Sequence, residues 1–404
     1  MTYFPRTSIQ AADSPSIDAF GRWRVSEPTT LFDSKQLFDK DPIFWDEAIT
    51  GSGGTSTHSP YTASTVMAVG TSAATVVRQT FERFNYQAGK SHLVLMTGVL
   101  DKSGGGTGIT RRFGYFDANN GIFLEDAEGV ISLVCRSSVS GSPSDSSKVV
   151  QASWNMDPMD GSGPSGIIVD WSKSQILLIE MEWLGVGRVR VGLVIDGSIH
   201  YVHAFNHANV ISGVYMSTPN LPLRWEITND GAGAASSMEH ICGSVMVEGG
   251  MERTGVLRTV STAGVHLDAA VADQLYMLLA IRLKPTHIGA SVVFKSAEVL
   301  NETDDFFEWE VILNPTIAGT PTWVDLTDSA VQYTLGATAN TVSGGYLIQS
   351  GWGSGSSVAS GATFEMYRHL GNSLSGVSDV IALCVRSRAL NADFNGSMTW
   401  QGAR

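Results

Sequence analysis

Charge is scarce in this chain. Only 16% of its 404 residues are Asp, Glu, Lys or Arg, against about 25% in ordinary soluble domains. Gly, Ser and Thr take the place of the missing charge, which points to a surface covered in good part by neighbours rather than by water. Cations are scarcer than anions, 26 against 39, and the formal net charge is -13. A nucleic-acid binder is not expected, because neutralising phosphates takes clustered Lys and Arg, and no basic run occurs. Cysteine is rare as well. Cys135, Cys242 and Cys384 are far apart and form no C-x-x-C pair, so neither a disulfide framework nor a zinc ribbon is indicated. Free buried thiols in a reducing compartment are expected instead. No run approaches the ~18 apolar residues of a membrane span, and "MTYFPRTSIQAADSPS" lacks the basic-then-apolar order of a signal peptide. The expectation is a soluble chain without an export signal, and no membrane partner.

Local catalytic signatures are also missing. No G-x-S-x-G, H-E-x-x-H or dinucleotide fingerprint occurs. "QAGKS" at Gln87 to Ser91 imitates the end of a phosphate loop, but Phe84 stands where the first glycine belongs, so it reads as a turn. A triad assembled from distant residues stays open.

What the chain does have is 43 glycines among Val, Ile, Trp, Phe and Tyr, the composition of many short strands joined by turns. The fold class expected is all-β: an antiparallel concanavalin- or jelly-roll-like sandwich, then a second β-sandwich domain, with an extended N-terminal arm in front. The boundaries read as an arm over 1–54, a sandwich over 55–250, a linker over 251–273 and a C-terminal β domain over 274–404. One short helix is expected near "DAAVADQ". In the second region "FFEWEVIL", "VIALCVRS" and "GYLIQSG" are among the expected strands, and the Gly/Ser-rich stretches are loops.

The arm carries isolated large apolar residues, among them Phe20, Trp23, Phe32, Phe38, Phe44 and Trp45, and no sustained period. It cannot bury them against itself. It lies across another surface, either a neighbouring subunit or its own sandwich, with "GSGG" at 51–54 as a hinge. Phe20, Arg22, Trp23 and Arg24 are the expected partner-binding anchors, since aromatic and Arg clusters make up binding hot spots.

"IHYVHAFNHAN" gathers three of the nine histidines. Asp196-Gly197 before it signals a type I′ hairpin turn, which pairs Leu193 with His200, Val191 with Val202 and Arg190 with His203. That register sends His200 and His203 to opposite faces, and His207 lies about 13 Å beyond His203 in an extended chain. No metal triad is expected here, and no metal or cofactor elsewhere. The stretch reads as the polar end of a sheet running into a loop.

Glu180 and Glu182 in "LLIEMEWLG" are the sharpest catalytic pair. They sit about 6.6–6.8 Å apart along one strand face, which overlaps carboxylate separations in glycosidases, and Trp183 beside them suits sugar stacking. The competing reading is a core strand that emerges to solvent at Glu180. The acidic run "NETDDFFEWE" and the loop "DPMDGSGPSG" lack the order of a calcium loop and read as a solvated strand entry and a turn.

"SIDAFGRWRVSEPTTLFDSKQ" at 16–36 resembles the opening segment of virion structural proteins of tailed bacteriophages, and "WNMDPMDGSGPSG", "EWLGVGRVRVG" and "YVHAFNHAN" resemble the body of the same group. The likeness covers about the first 250 residues. It implies a building block of the particle, in the tail, neck, fibre or capsid surface, made in the host cytoplasm and carrying no enzymatic residues. The functional expectation is therefore a non-enzymatic, self-associating virion subunit whose arm docks on neighbouring virion proteins. The alternative is a carbohydrate-binding or glycan-degrading host-recognition module on the sandwich face near Glu180 and Glu182, with host surface glycans as partners.

Overall fold

The computed structural model describes residues 14, 16–21, 23, 28–250, 255–355, 358–360 and 369–402. Among them every regular element is a β-strand apart from two single-turn 3-10 helices, and all strand pairs in the sheets are antiparallel. The chain divides into two compact units, residues 1–80 with 86–252, and residues 81–85 with 253–404.

The first unit contains β1 (Thr29–Lys35), β2 (Trp45–Gly51), β3 (Thr55–Ser59), β4 (Ser64–Val69), β5 (Ala74–Thr80), β6 (Ser91–Ser103), β7 (Ile109–Phe116), β8 (Gly121–Ala127), β9 (Val130–Arg136), β10 (Val149–Val150), β11 (Gln175–Met181), β12 (Val189–Ile195), β13 (Ser198–Phe205), β14 (Leu223–Asn229) and β15 (Ser236–Glu248). One sheet runs β13-β12-β11-β6-β15-β4-β3, with β1 also paired to β15; the other runs β10-β9-β8-β7-β14-β5-β2. Side chains from the two sheets interdigitate as in a sandwich. Trp225 of β14 stacks on Phe113 at 4.4 Å and on His240 of β15 at 4.8 Å. Gly98 of β6 makes room for that indole. A Cβ there would sit 2.4 Å from the Trp225 ring and 2.2 Å from the Glu239 carbonyl oxygen.

The second unit contains β16 (Val256–Ser261), β17 (Leu267–Ala269), β18 (Tyr276–Leu283), β19 (Val292–Asn301), β20 (Phe306–Leu313), β21 (Thr316–Ile317), β22 (Val324–Asp325), β23 (Val331–Leu335), β24 (Val342–Ser343), β25 (Tyr346–Ser354), β26 (Val358–Ser360), β27 (Val380–Ser387) and β28 (Ala392–Gly402). One sheet is β16-β28-β19-β26 with β17 on β28, and the other is β22-β23-β18-β27-β20-β25. Trp400, Phe294, Phe307 and Leu383 lie in the core between them. The outer face of the β18-β27-β20 region carries a smaller cluster around Met277, Ile312 and Cys384, and β21 and β24 pair as a separate two-stranded sheet.

Several sequence expectations change. Residues 29–51 are not an extended arm: β1 joins the first sheet and β2 the second, and Phe32 and Trp45 are buried in the sandwich. The "GSGG" stretch is a tight connection rather than a hinge, since Gly51 has φ 80° and a Cβ there would lie 2.1 Å from the Ala73 carbonyl oxygen. Residues 251–273 are not a linker over their described part, because β16 and β17 both pair with β28. The segment expected to hold a helix begins instead as β17, whose Leu267 and Ala269 point into the core.

Candidate functional site

Glu180 lies on β11, between β12 and β6, cross-strand from Arg190 and Leu93. Apolar neighbours make this a poor place for a lone charge, and the surrounding side chains neutralise it. Arg190 Nε donates to Glu180 Oε2 at 2.9 Å, the Tyr201 hydroxyl donates to the same oxygen at 2.8 Å, and Ser91 Oγ approaches Oε1 at 3.5 Å. The guanidinium lies over the Tyr201 ring at 4.4 Å. Glu180 is 0% exposed and Arg190 1%.

The lid on this pair comes from the chain's beginning. Arg190 Nη2 donates to the backbone carbonyl of Ile17 at 2.8 Å, and Ile17 is buried. The described part of residues 14–23 forms a small loop closed by a bridge between Ile17 and Trp23, with Phe20 N–H donating to Asp18 Oδ1. Of the four anchors expected from sequence, Phe20 is half-buried and Trp23 is 64% exposed, while Arg22 and Arg24 lie outside the described residues. Ile17 is the residue that docks, and the sequence reading did not single it out. The available signal was the placing of Glu180 and Arg190 inside two apolar strands, where each needs a partner.

Glu182 sits just past the end of β11 and accepts the Arg188 backbone N–H at 3.2 Å, while Trp183 Nε1 donates to the Met216 carbonyl at 3.2 Å. The two glutamates are therefore not an open pair. The competing reading, emergence to solvent at Glu180, also fails: the strand face carrying Glu180 continues into a cluster of Leu93, Leu178 and Tyr201 with Met156 packed on it.

The histidine window differs from its expected register. The turn is as read, with φ 51° at Asp196 and 76° at Gly197, and His200 lies opposite Leu193. Beyond Gly192 a bulge inserts Val202, so His203 lies opposite Val191 rather than Arg190. His200 and His203 thus face residues of one row, not opposite faces. His203 Nδ1 accepts the Asn155 backbone N–H at 3.1 Å, and burial lowers its pKa to about 4. His207 stacks on Tyr215 at 4.0 Å, and its Nδ1 donates to the Gly187 carbonyl at 2.7 Å. Burial lowers its pKa as well. No group of three or more His, Cys, Asp or Glu side chains suited to a metal occurs among the described residues.

Backbone N–H groups hold the acidic loops in place. Asp157 accepts backbone N–H groups of Met159 and Ser165, both at 2.9 Å, and Asp305 accepts from the Ala389 N–H at 2.8 Å. Lys90 of "QAGKS" donates to the Gly250 carbonyl. The three cysteines are free; Cys135 and Cys384 are buried and Cys242 partly so, and burial pushes the Cys135 thiol up to about 12.

A different surface carries exposed apolar groups. The β1–β2 connection is fastened to β3 by His58 Nε2 on the Gln36 carbonyl at 2.8 Å and Lys40 Nζ on the Ser56 carbonyl at 3.4 Å. It presents Phe38 at 91% exposure, with Leu37, Ile43 and Phe44 also exposed, and Tyr61 in the turn after β3 is 99% exposed. β3 and β2 are the terminal strands of the two sheets.

No family model and no curated protein matches the chain. Among solved structures, it is similar to a legume lectin-like domain from Entamoeba histolytica at 8% identity, covering 55% of this chain and 98% of that one, with a TM-score of 0.33. It is similar to an endo-1,3-beta-glucanase from Streptomyces sioyaensis at 10% identity, with 55% and 97% covered and a TM-score of 0.35. A third similar structure is peanut lectin, at 10% identity with 55% and 98% covered and a TM-score of 0.30. Likeness at these levels carries no residue role over to this chain.

Proposed function

We propose that this chain is a non-enzymatic structural subunit of a tailed-phage virion, which self-associates and docks on neighbouring virion proteins through its N-terminal segment. The observation that carries the reading is the exposed apolar surface made by Phe38, Tyr61 and their neighbours on a segment otherwise woven into the sandwich. Large aromatic groups standing in water beside the terminal strands of both sheets mark an association surface. Open edge strands also invite pairing with another chain unless something covers them. Trp23, 64% exposed, extends the same composition along the segment. The low charge and the resemblance of the opening segment to virion proteins support the particle as the place of action.

The sealing of Glu180 by Arg190, Tyr201 and Ile17 supports the non-enzymatic part of the reading. A general acid or nucleophile has to reach its substrate, and a carboxylate with no exposed surface does not. The same sealing weighs against a glycan module built on Glu180 and Glu182.

Sedimentation velocity of the purified full chain tests the association. The wild type is expected to sediment as an oligomer, and Phe38→Ser with Tyr61→Ser to shift it towards monomer with an unchanged melting temperature. A wild type that stays monomeric at all concentrations, or variants that assemble as well as it does, would remove the patch as the contact.

A further inference from the structure

The second unit holds a cleft of about 360 Å³ on the outer face of its six-stranded sheet, next to the two-stranded β21–β24 sheet. That volume falls at the lower end of the roughly 300–1,000 Å³ of small-ligand pockets. Glu310 and Ile312 of β20 form its floor, Asp273 and Gln274 one wall, Leu347 of β25 the other, and Arg386 of β27 closes one end.

The polar groups in the cleft are held in place but not used up. Arg386 Nη2 donates to Glu310 Oε1 at 3.1 Å, which fixes both side chains. Among the described residues the other Glu310 oxygen accepts no hydrogen bond. Arg386 Nε is buried without a hydrogen-bond partner among the described residues and lies 3.8 Å from Glu308 Oε2. Gln274 donates its amide N–H to the Leu275 carbonyl at 3.1 Å, and its oxygen accepts no hydrogen bond among the described residues. Spare acceptors on Glu310 and Gln274 and a spare donor on Arg386 therefore border a lining that is apolar at Ile312 and Leu347. Beside the cleft on the same face, cross-strand from Glu308, Trp352 is 58% exposed. Its ring is steadied by the Arg388 guanidinium at 5.3 Å, itself paired with Asp273.

Charge narrows the choice of ligand. Asp273 is paired with Arg388 and Glu310 with Arg386, so the two lining carboxylates leave no excess of either sign to select an anion or a metal cation. A neutral ligand whose hydroxyls both donate and accept, and whose ring presents an apolar face, meets every group present. We infer that this cleft is a binding site for a neutral saccharide, with Glu310 and Arg386 gripping ring hydroxyls and Trp352 serving as the platform for an adjoining sugar. The inference stands on the second unit alone and does not depend on how the chain assembles.

The test is saturation-transfer NMR of the full-length chain with methyl glycosides of glucose, galactose, mannose and N-acetylglucosamine and their short oligomers. Fluorescence titration then supplies affinities, and inorganic phosphate is included as a competitor. At least one glycoside is expected to bind. Glu310→Gln and Leu347→Asp are each expected to weaken it about tenfold or more, while Phe38→Ser in the first unit leaves it unchanged. If Glu310→Gln lowers the melting temperature, hydrogen exchange of the wild type decides, with sugar-dependent protection expected over residues 342–347. The proposal is overturned if no glycoside binds, if phosphate displaces the sugar, if binding survives both cleft variants, or if protection appears elsewhere. Sedimentation is a separate readout, so loss of sugar binding with intact assembly fails this inference and leaves the structural reading standing.

Discussion

The Arg190 guanidinium joins Glu180 to the Ile17 backbone, with Nε 2.9 Å from the carboxylate and Nη2 2.8 Å from the carbonyl. Removing one member of a buried pair strands the other charge, which costs about 3–5 kcal/mol, whereas replacing both with apolar groups is often neutral. Arg190→Met is expected to lose about that much in urea denaturation, and Glu180→Leu added to it is expected to recover most of the loss. Arg190→Met should also speed proteolytic cleavage near residues 17–23, because the carbonyl loses its anchor. Equal stability of the single and double variants would contradict the arrangement.

His240 is fully buried between Trp45 at 4.5 Å and Trp225 at 4.8 Å, and neither ring nitrogen has a hydrogen-bond partner among the described residues. Burial, with the Arg78 charge nearby, holds its pKa well below the usual value of 6.5. The unfolded chain therefore binds a proton below about pH 6.5 that the folded chain refuses, and stability falls as pH drops. One such proton corresponds to a slope of about 1.4 kcal/mol per pH unit. His203 and His207 shift in the same direction. Denaturation midpoints measured from pH 7 to pH 4.5 are expected to fall, and His240→Phe to flatten the fall while raising stability at neutral pH.

Gly98→Ala places a methyl group against the Glu239 carbonyl and the Trp225 ring, at 2.2 and 2.4 Å. Backbone cannot yield as a flexible side chain does, so the loss should reach or exceed the upper end of the about 1–3 kcal/mol of core overpacking. Thermal unfolding measures it. A change under 0.5 kcal/mol, about the scatter of neutral surface substitutions, would mean that the two sheets part more easily than the packing implies.

Where a strand is a continuous run, the sequence discloses it: "FFEWEVIL" and "VIALCVRS" are β20 and β27 to the residue. The Asp196-Gly197 turn is equally legible, because its two positive φ angles need those residue types. β28 escaped notice because its inward residues Ala392, Phe394, Met398 and Trp400 are spaced among polar ones, with a glycine interrupting the alternation. β1 and β2 escaped because their partners, β15 and β5, are distant or carry the pattern themselves, so Phe32 and Trp45 look isolated in the local text. The Val202 bulge leaves no composition mark, yet it reverses the face argument for His203. The Glu180–Arg190 pairing was hidden for a related reason: the 182–188 connection is not a two-residue turn, so nothing in it fixes the register between β11 and β12.

Phe38 and Tyr61, 91% and 99% exposed, make few contacts within the fold that a substitution could remove. Phe38→Ser and Tyr61→Ser should each change stability by less than about 0.5 kcal/mol. A larger loss in chemical denaturation would assign these side chains to folding rather than to association.

The proposed role as a structural part of a particle, with Phe38 and Tyr61 as a contact, is open to direct test. The most direct measurement is an electron-microscopy map of purified virions from the producing host, with mass spectrometry of the same particles. The expected result is copies of the chain at symmetry-related positions, with density from a neighbouring subunit against Phe38 and Tyr61. Particles whose mass spectra lack peptides of this chain, or a map that holds the chain with no neighbouring density against Phe38 and Tyr61, would contradict it.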